Sequence, residues 1–122
     1  MADPYVIDAI PVLIPAGVAG LSAAMGLGGK TLVGIVIPAA WVTAGISFQA
    51  SGDGGATFGE LLDETATARS ISSITGGAYT VIAVDPTKWR GINEIKVRSG
   101  TSAAPVNQTG APTLLLLIRF VA

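Results

Sequence analysis

Gly45-Ile46-Ser47-Phe48-Gln49-Ala50-Ser51 sets the period of this chain. Ile46, Phe48 and Ala50 alternate with Ser47, Gln49 and Ser51, the two-residue repeat of a strand with one face buried and the other in water. Glu94-Ile95-Lys96-Val97-Arg98-Ser99 repeats it, with Ile95 and Val97 directed inward and the charges outward. Outward from these two segments the runs become continuously apolar: Leu32-Val33-Gly34-Ile35-Val36-Ile37, Tyr79-Thr80-Val81-Ile82-Ala83-Val84 and Leu114-Leu115-Leu116-Leu117-Ile118. Short runs of this kind, rich in β-branched residues and bounded by Gly or Pro, are what strands covered on both faces look like. The Leu run follows Gly110-Ala111-Pro112 and is too short for a stable helix, so it too is read as strand. Turn signals punctuate the chain at intervals of about ten residues, among them Gly26 to Gly29, Ser51 to Gly55, Gly76-Gly77, Asp85-Pro86 and Ser99-Gly100. One short helical turn is expected at Asp85-Pro86-Thr87-Lys88-Trp89, with Asp85 as cap and Pro86 in the first helical position. The expectation is an all-β fold, a single antiparallel β-sandwich of jelly-roll type with seven or eight strands, spanning residues 1–122 as one domain.

Composition narrows the function. The 122 residues hold neither Cys nor His, which removes thiol nucleophiles, disulfides, the Ser-His-Asp triad and zinc-finger ligand sets. Seven Lys and Arg against eight Asp and Glu, spread along the chain, leave no basic stripe for nucleic acid. Half the residues are apolar while only 12% are charged, so part of the surface is expected to be covered by another subunit. Two uncharged stretches, residues 9–29 and 31–52, have the length of a membrane span, but Pro11, Pro15 and Pro38 with several glycines break any helix through them. Met1-Ala2-Asp3-Pro4-Tyr5 lacks the basic start of a signal peptide, so the chain is expected to be made and kept without export and to meet no membrane.

Three motifs are weighed against plainer readings. Ala24-Met25-Gly26-Leu27-Gly28-Gly29-Lys30-Thr31 fits a relaxed phosphate loop, but a phosphate loop needs a helix immediately after its Lys-Thr. Leu32 to Pro38 cannot supply one, and a Gly-rich hairpin turn is the reading taken. Ser51-Gly52-Asp53-Gly54-Gly55-Ala56-Thr57-Phe58 matches the Asp-box pattern, in which the carboxylate accepts turn N–H groups, the glycines supply positive φ and the aromatic packs back on its strand. Asp53, Glu60, Asp63 and Glu64 crowd four acids into one segment, but the spacing matches no calcium loop and a solvated acidic loop is expected. Trp41 and Trp89 are expected to plug the core; the other use for them is as platforms for a sugar ring.

The run Leu32 to Trp41, the segment Ile46 to Ser51 with Asp53-Gly54, and Ile95 to Thr101 with Pro105-Val106-Asn107-Gln108 together resemble small structural proteins of tailed-bacteriophage heads. The resemblance implies a short, cysteine-free β-sandwich that decorates or cements the capsid surface of the virion, with the major capsid protein as partner, self-association with a trimer favoured, and no catalytic residue, metal or cofactor. Contact with the shell is expected from the segment Tyr5 to Ile14, through Tyr5, Val6, Ile7, Ile10 and Val12, and from the uncharged loop Thr101 to Pro112, through Val106 and Gln108. Removing residues 1–14 is expected to abolish attachment and leave the domain folded. The second expectation is a carbohydrate- or receptor-binding module of a fibre or tail, using Trp41, Trp89 and the Asp53 loop.

Overall fold

The computed structural model describes residues 7–17 and 19–120. Nine strands occur among them: β1 (Asp8–Leu13), β2 (Met25–Gly26), β3 (Thr31–Ile37), β4 (Ala44–Ser51), β5 (Gly59–Glu60), β6 (Ser70–Ile74), β7 (Thr80–Ala83), β8 (Glu94–Ser99) and β9 (Thr113–Arg119). They form two antiparallel sheets. The first has the order β1-β9-β3-β7; the second runs β2-β8-β4, with β5 and β6 both pairing along the far side of β4. Counting β5 and β6 as one position gives eight. The chain crosses between sheets at almost every step, and the last strand lies between the first and third, which is the nested double Greek key of a jelly roll.

The long alternating strands behave as their period dictates. Phe48 of β4 stands opposite Val97 of β8, and Ile46 opposite Ser99, so one face of the pair points into the sandwich. From the first sheet Ile10 and Val12 align with Leu116 and Leu114, and Ile35 with Leu116 and Ile82, supplying the other half of the interior. Ile46, Phe48, Val97, Val12, Leu114, Leu116 and Ile35, with Leu27, Leu32, Ile37, Trp41, Ile95 and Trp89, belong to one buried cluster between the sheets, and Ile10 and Ile82 pack against it. Phe48 and Trp89 meet edge to face at 4.7 Å, an arrangement worth about 1 kcal/mol beyond the area it buries. Pro86–Trp89 makes a single 3-10 turn, and the Asp85 side chain accepts a hydrogen bond from the Thr87 N–H, as the cap reading expects.

β3 contains a bulge between Leu32 and Gly34, where Val33 is the extra residue against β9. Gly34 sits close against its neighbours there: a Cβ would lie 3.1 Å from the Ile82 carbonyl oxygen and 3.2 Å from Leu117 Cδ1, so either would have to give by a few tenths of an ångström. The bulge resets the register so that Ile35 and Ile37 still face inward beyond it.

Candidate interaction surface

The two outer faces of the sandwich differ in kind. On the second sheet the outward positions are polar: Ser47 opposite Arg98, Gln49 opposite Lys96 and Glu60, Ser51 opposite Glu94. Arg98 is only 6% exposed and makes a two-pronged ion pair with Glu60, with Nη1 to Oε2 at 2.9 Å. Its Nε donates to Ser47 Oγ at 3.0 Å, and that hydroxyl donates to the Gly100 carbonyl at 2.7 Å. The Arg98 hydrogen bond first, and a weaker contribution from Gln49 Nε2, which donates to Glu60 Oε2 at 3.1 Å, hold the Glu60 carboxyl below the usual carboxylate range against the opposing effect of burial. Lys96 stacks over Phe58, 4.7 Å from the ring centre.

The first sheet turns an apolar face outward. Register fixes its rows: Ala9, Leu117, Gly34 and Ala83 form one, and Pro11, Leu115, Val36 and Val81 the next. Beyond them Leu13 stands opposite Thr113, and Tyr79, just before β7, is 71% exposed. Val81 is 58% exposed. None of these residues belongs to the buried cluster between the sheets, nor to the half-buried side chains packed against it. Among the described residues on outward strand positions of this sheet, Arg119 alone carries charge, and it stands at one end opposite Thr31. Lys30 and Asp8, paired with one another, lie at that same end, and Lys30 also sits 5.3 Å from the Phe120 ring centre. Antiparallel sheets ordinarily present polar residues on the face away from the core. Of the three strands that carry the sequence of strands covered twice, β3 is buried on both faces, with Val36 only 6% exposed, while the outward side chains of β7 and β9 are exposed or half-buried.

The residues expected to contact a shell are distributed otherwise. Tyr5 and Val6 lie outside the described residues. Ile7 is exposed, beside the first sheet. Ile10 is half-buried and packs on the core, and Val12 is part of it, so on β1 the accessible side chains are the alternate ones, Ala9, Pro11 and Leu13. Val106 also packs on the core. Gln108 is 0% exposed: its Oε1 accepts from the Val42 N–H at 2.7 Å, and its Nε2 donates to the Val42 carbonyl at 2.9 Å and to Ser99 Oγ at 2.7 Å. It ties the 101–112 loop to the sandwich and presents nothing outward. A truncation through residue 14 removes an edge strand together with Val12 and Ile14 of the core, so residues 1–14 are not separable from the fold.

The other motifs settle into local structure. The chain after Lys30-Thr31 is β3, so no helix N-terminus faces the glycines. In the Asp-box segment Ser51 Oγ donates to Asp53 Oδ1 at 2.6 Å, and the same oxygen accepts from the Thr57 N–H at 2.8 Å. Gly54 and Gly55 take φ of 76° and 96°, which the turn requires. The Ser51 bond and the Thr57 N–H lower the Asp53 carboxyl to about 2. Asp63 likewise accepts from the Thr65 hydroxyl and from the N–H groups of Thr65 and Thr67. Among the described residues no group of three or more acids is arranged to hold a metal. Trp41 and Trp89 are both buried, and Trp41 Nε1 donates to the Ala44 carbonyl, so neither is an exposed platform for a sugar ring. A cleft of about 320 Å³ opens where the free edges of β6 and β7 part, floored by Phe48 and Trp89 and rimmed by Asp63, Arg69, Asp85 and Lys88. The rim is charge-balanced, and both acids are engaged in capping their own turns. No helix among the described residues is long and apolar enough to cross a membrane.

Comparison with protein-family models, with curated proteins and with solved structures returns no match for this chain.

Proposed function

We propose that this protein is a structural component of a tailed-phage virion, a decoration or cement protein that binds the major capsid protein lattice and works as an assembly of copies. The observation that carries the reading is the apolar outer face of the β1-β9-β3-β7 sheet. A one-sided sandwich, with a wet face and a greasy one, suits a building block whose surface is completed by neighbours. The jelly roll agrees with a shell component at the level of analogy, since lectins use the same architecture. Several of the ionisable side chains serve local structure: Asp53, Asp63 and Asp85 cap turns, and Asp8 and Glu60 pair with Lys30 and Arg98. Shell contact is assigned to exposed Ile7 and the exposed tip of the 101–112 loop, Thr101 to Pro105.

The stabilising effect would be mechanical. Bridging adjacent shell subunits adds buried area to the intact lattice alone, so binding shifts the balance toward the closed shell by mass action. Sedimentation with tailed-phage heads stripped of accessory proteins tests this. Saturable uptake at a fixed ratio to the shell protein is the expected result. Absence from the pellet, with specific hits on a glycan array, would replace the proposal with a sugar-binding fibre module.

A further inference from the structure

We infer that the open edge of β7 accepts an extended segment of another protein, which adds a strand to the first sheet and lays apolar side chains into the cleft between β7 and β6. The assignment is independent of the reading of the protein as a shell component, and its test needs no phage head.

The edges of the two sheets single out β7. Native sheet edges are protected from pairing by shortness, Pro, bulges or charge. On β1 the Ile14 N–H donates to the Pro112 carbonyl, so by the alternation of an antiparallel ladder Val12, Ile10 and Asp8 pair with β9. Pro11 then stands on the open side of β1, where it removes an N–H. β2 and β5 have two residues each. β6 is irregular, its register with β4 shifting between Ala44 and Ile46. Among the described edge strands β7 alone keeps an unbroken register, Thr80 to Ala83 against Ile37 to Gly34, and it holds neither Pro nor charge. The Val84 N–H donates to the Val33 carbonyl, so Ile82 and Thr80 pair with β3, and the N–H and C=O groups of Val81 and Ala83 point to the open side. Such groups are spaced for another main chain, which selects an extended peptide over other ligands. Tyr79 and Val81 stand beside them 71% and 58% exposed.

The cleft states what kind of segment fits. A strand laid along β7 shares its alternation, so the side chains level with Ile82 point as Ile82 does, over Phe48, Trp89 and Ile71. An edge strand of a second copy does not fill this space, because its own inward residue Ile82 is packed on its own core. The occupant is therefore a segment not already built into a sandwich, an arm, tail or linker with apolar residues at alternate positions. Charge adds a preference. Asp63 and Asp85 accept the N–H groups of their own turns through Oδ1, while Arg69 and Lys88 belong to neither ion pair found among the described residues and act on Asp85 only at longer range. An acidic side chain beside the apolar ones meets these two cations at the rim.

A displayed library of random dodecapeptides, panned on the full chain, is the test. Selected sequences should alternate apolar with polar residues, carry an acid, and bind again as synthetic peptides. Amide exchange read by NMR should slow at Val81 and Ala83 on binding and stay unchanged on β1. Ala83→Pro removes one outward N–H and should weaken binding about tenfold, the worth of one main-chain hydrogen bond. Lys88→Glu should weaken it about threefold. Lys96→Ala, on the outer face of the second sheet, should bind as wild type does. A library that yields no binder overturns the inference, and so do selected peptides that lack the alternation or protect amides elsewhere. Should Ala83→Pro unfold, the exchange pattern of the wild type decides. Protection of Val81 and Ala83 in the free chain that rises with concentration would give the edge to a second copy. Protection lost on removing residues 1–6 would give it to the chain's own start, and either result also overturns the inference.

Discussion

Replacing Gln108 with Leu should cost the fold dearly and leave shell contact untouched in whatever chain remains folded. The side chain is completely buried and makes three hydrogen bonds, two to the backbone of Val42 and one to the Ser99 hydroxyl. Leu is similar in volume but bonds to none of them, so a donor, an acceptor and a hydroxyl lose their partner together. A buried polar group stripped of its partner costs about 1–3 kcal/mol. Ser99 is fully buried and bears the whole penalty, whereas Val42 is half-buried and recovers part of its loss from water. The added apolar contact of Leu offsets a further part, leaving about 4 kcal/mol. A domain of this size has roughly 5–15 kcal/mol in all, so most of the margin can disappear. With a urea dependence of about 1.5 kcal/mol/M, the unfolding midpoint should fall by some 2–3 M. Urea titration followed by tryptophan fluorescence reads this directly, since Trp41 and Trp89 are buried. A midpoint within about 0.5 M of wild type would mean that Gln108 does not pin the loop, and its burial would need another explanation.

Three further outcomes follow from the same geometry. The Asp53 carboxyl is lowered from 3.8 to about 2, so its contribution to stability is complete above its ordinary pKa and is lost as pH falls through the folded one. Urea midpoints of wild type should therefore decline between about pH 4 and pH 2, and Asp53→Ala should flatten that part of the curve. Glu60→Gln leaves the nearly buried Arg98 without its carboxylate. Because the Glu60 side chain is itself 31% exposed, the expected loss of stability is about 2 kcal/mol, below that of a fully buried pair, and a loss under about 0.5 kcal/mol would make the pair a surface ornament. Gly76→Ala places a Cβ 1.9 Å from the Trp41 carbonyl oxygen, and a destabilisation of about 3 kcal/mol should appear in thermal melts.

The alternating strands were legible because their apolar period matches the inward face, although Ser47 and Arg98 on the outward face are buried too, joined to one another and, through Arg98, to Glu60. Ile46, Phe48, Ile95 and Val97 face inward as their spacing dictates, and Ser47, Gln49, Lys96 and Arg98 face outward. The capped turn at Pro86 and the Asp-box hairpin were legible for a related reason, since each rests on side chain to backbone bonds within a few residues. β1 was harder to place: Pro11 and Ala9 give it little strand character, and what holds it is pairing with β9 from the far end of the sequence. β2 and β5 are two-residue pairings decided by the longer strands beside them. The apolar runs of β3, β7 and β9 were read as strands with both faces covered. For β3 that holds, since its outward Gly34 and Val36 are buried as well. On β7 and β9 the outward side chains are exposed or half-buried, a distinction that local sequence cannot carry because both coverings select the same residues. The same ambiguity misdirects the contact residues on β1: on a strand, neighbours in sequence face opposite ways, so Val12 belongs to the core and Pro11 and Leu13 to the surface.

The place of β9 between β1 and β3 has a consequence for how the molecule comes into being on the ribosome. Asp8 lies opposite Ile118, and among the described residues β1 has no other partner in its sheet, so β1 must wait until β9, more than a hundred residues later in sequence, has been translated before it can pair. Until then β3 lacks one neighbour as well, and the apolar rows do not exist as a surface. Long-range pairing of this sort is slow to nucleate. It also works as a timing device: the apolar rows are assembled only once β9 has been made, so a nascent chain still lacking β9 offers no finished patch to the nascent chains beside it.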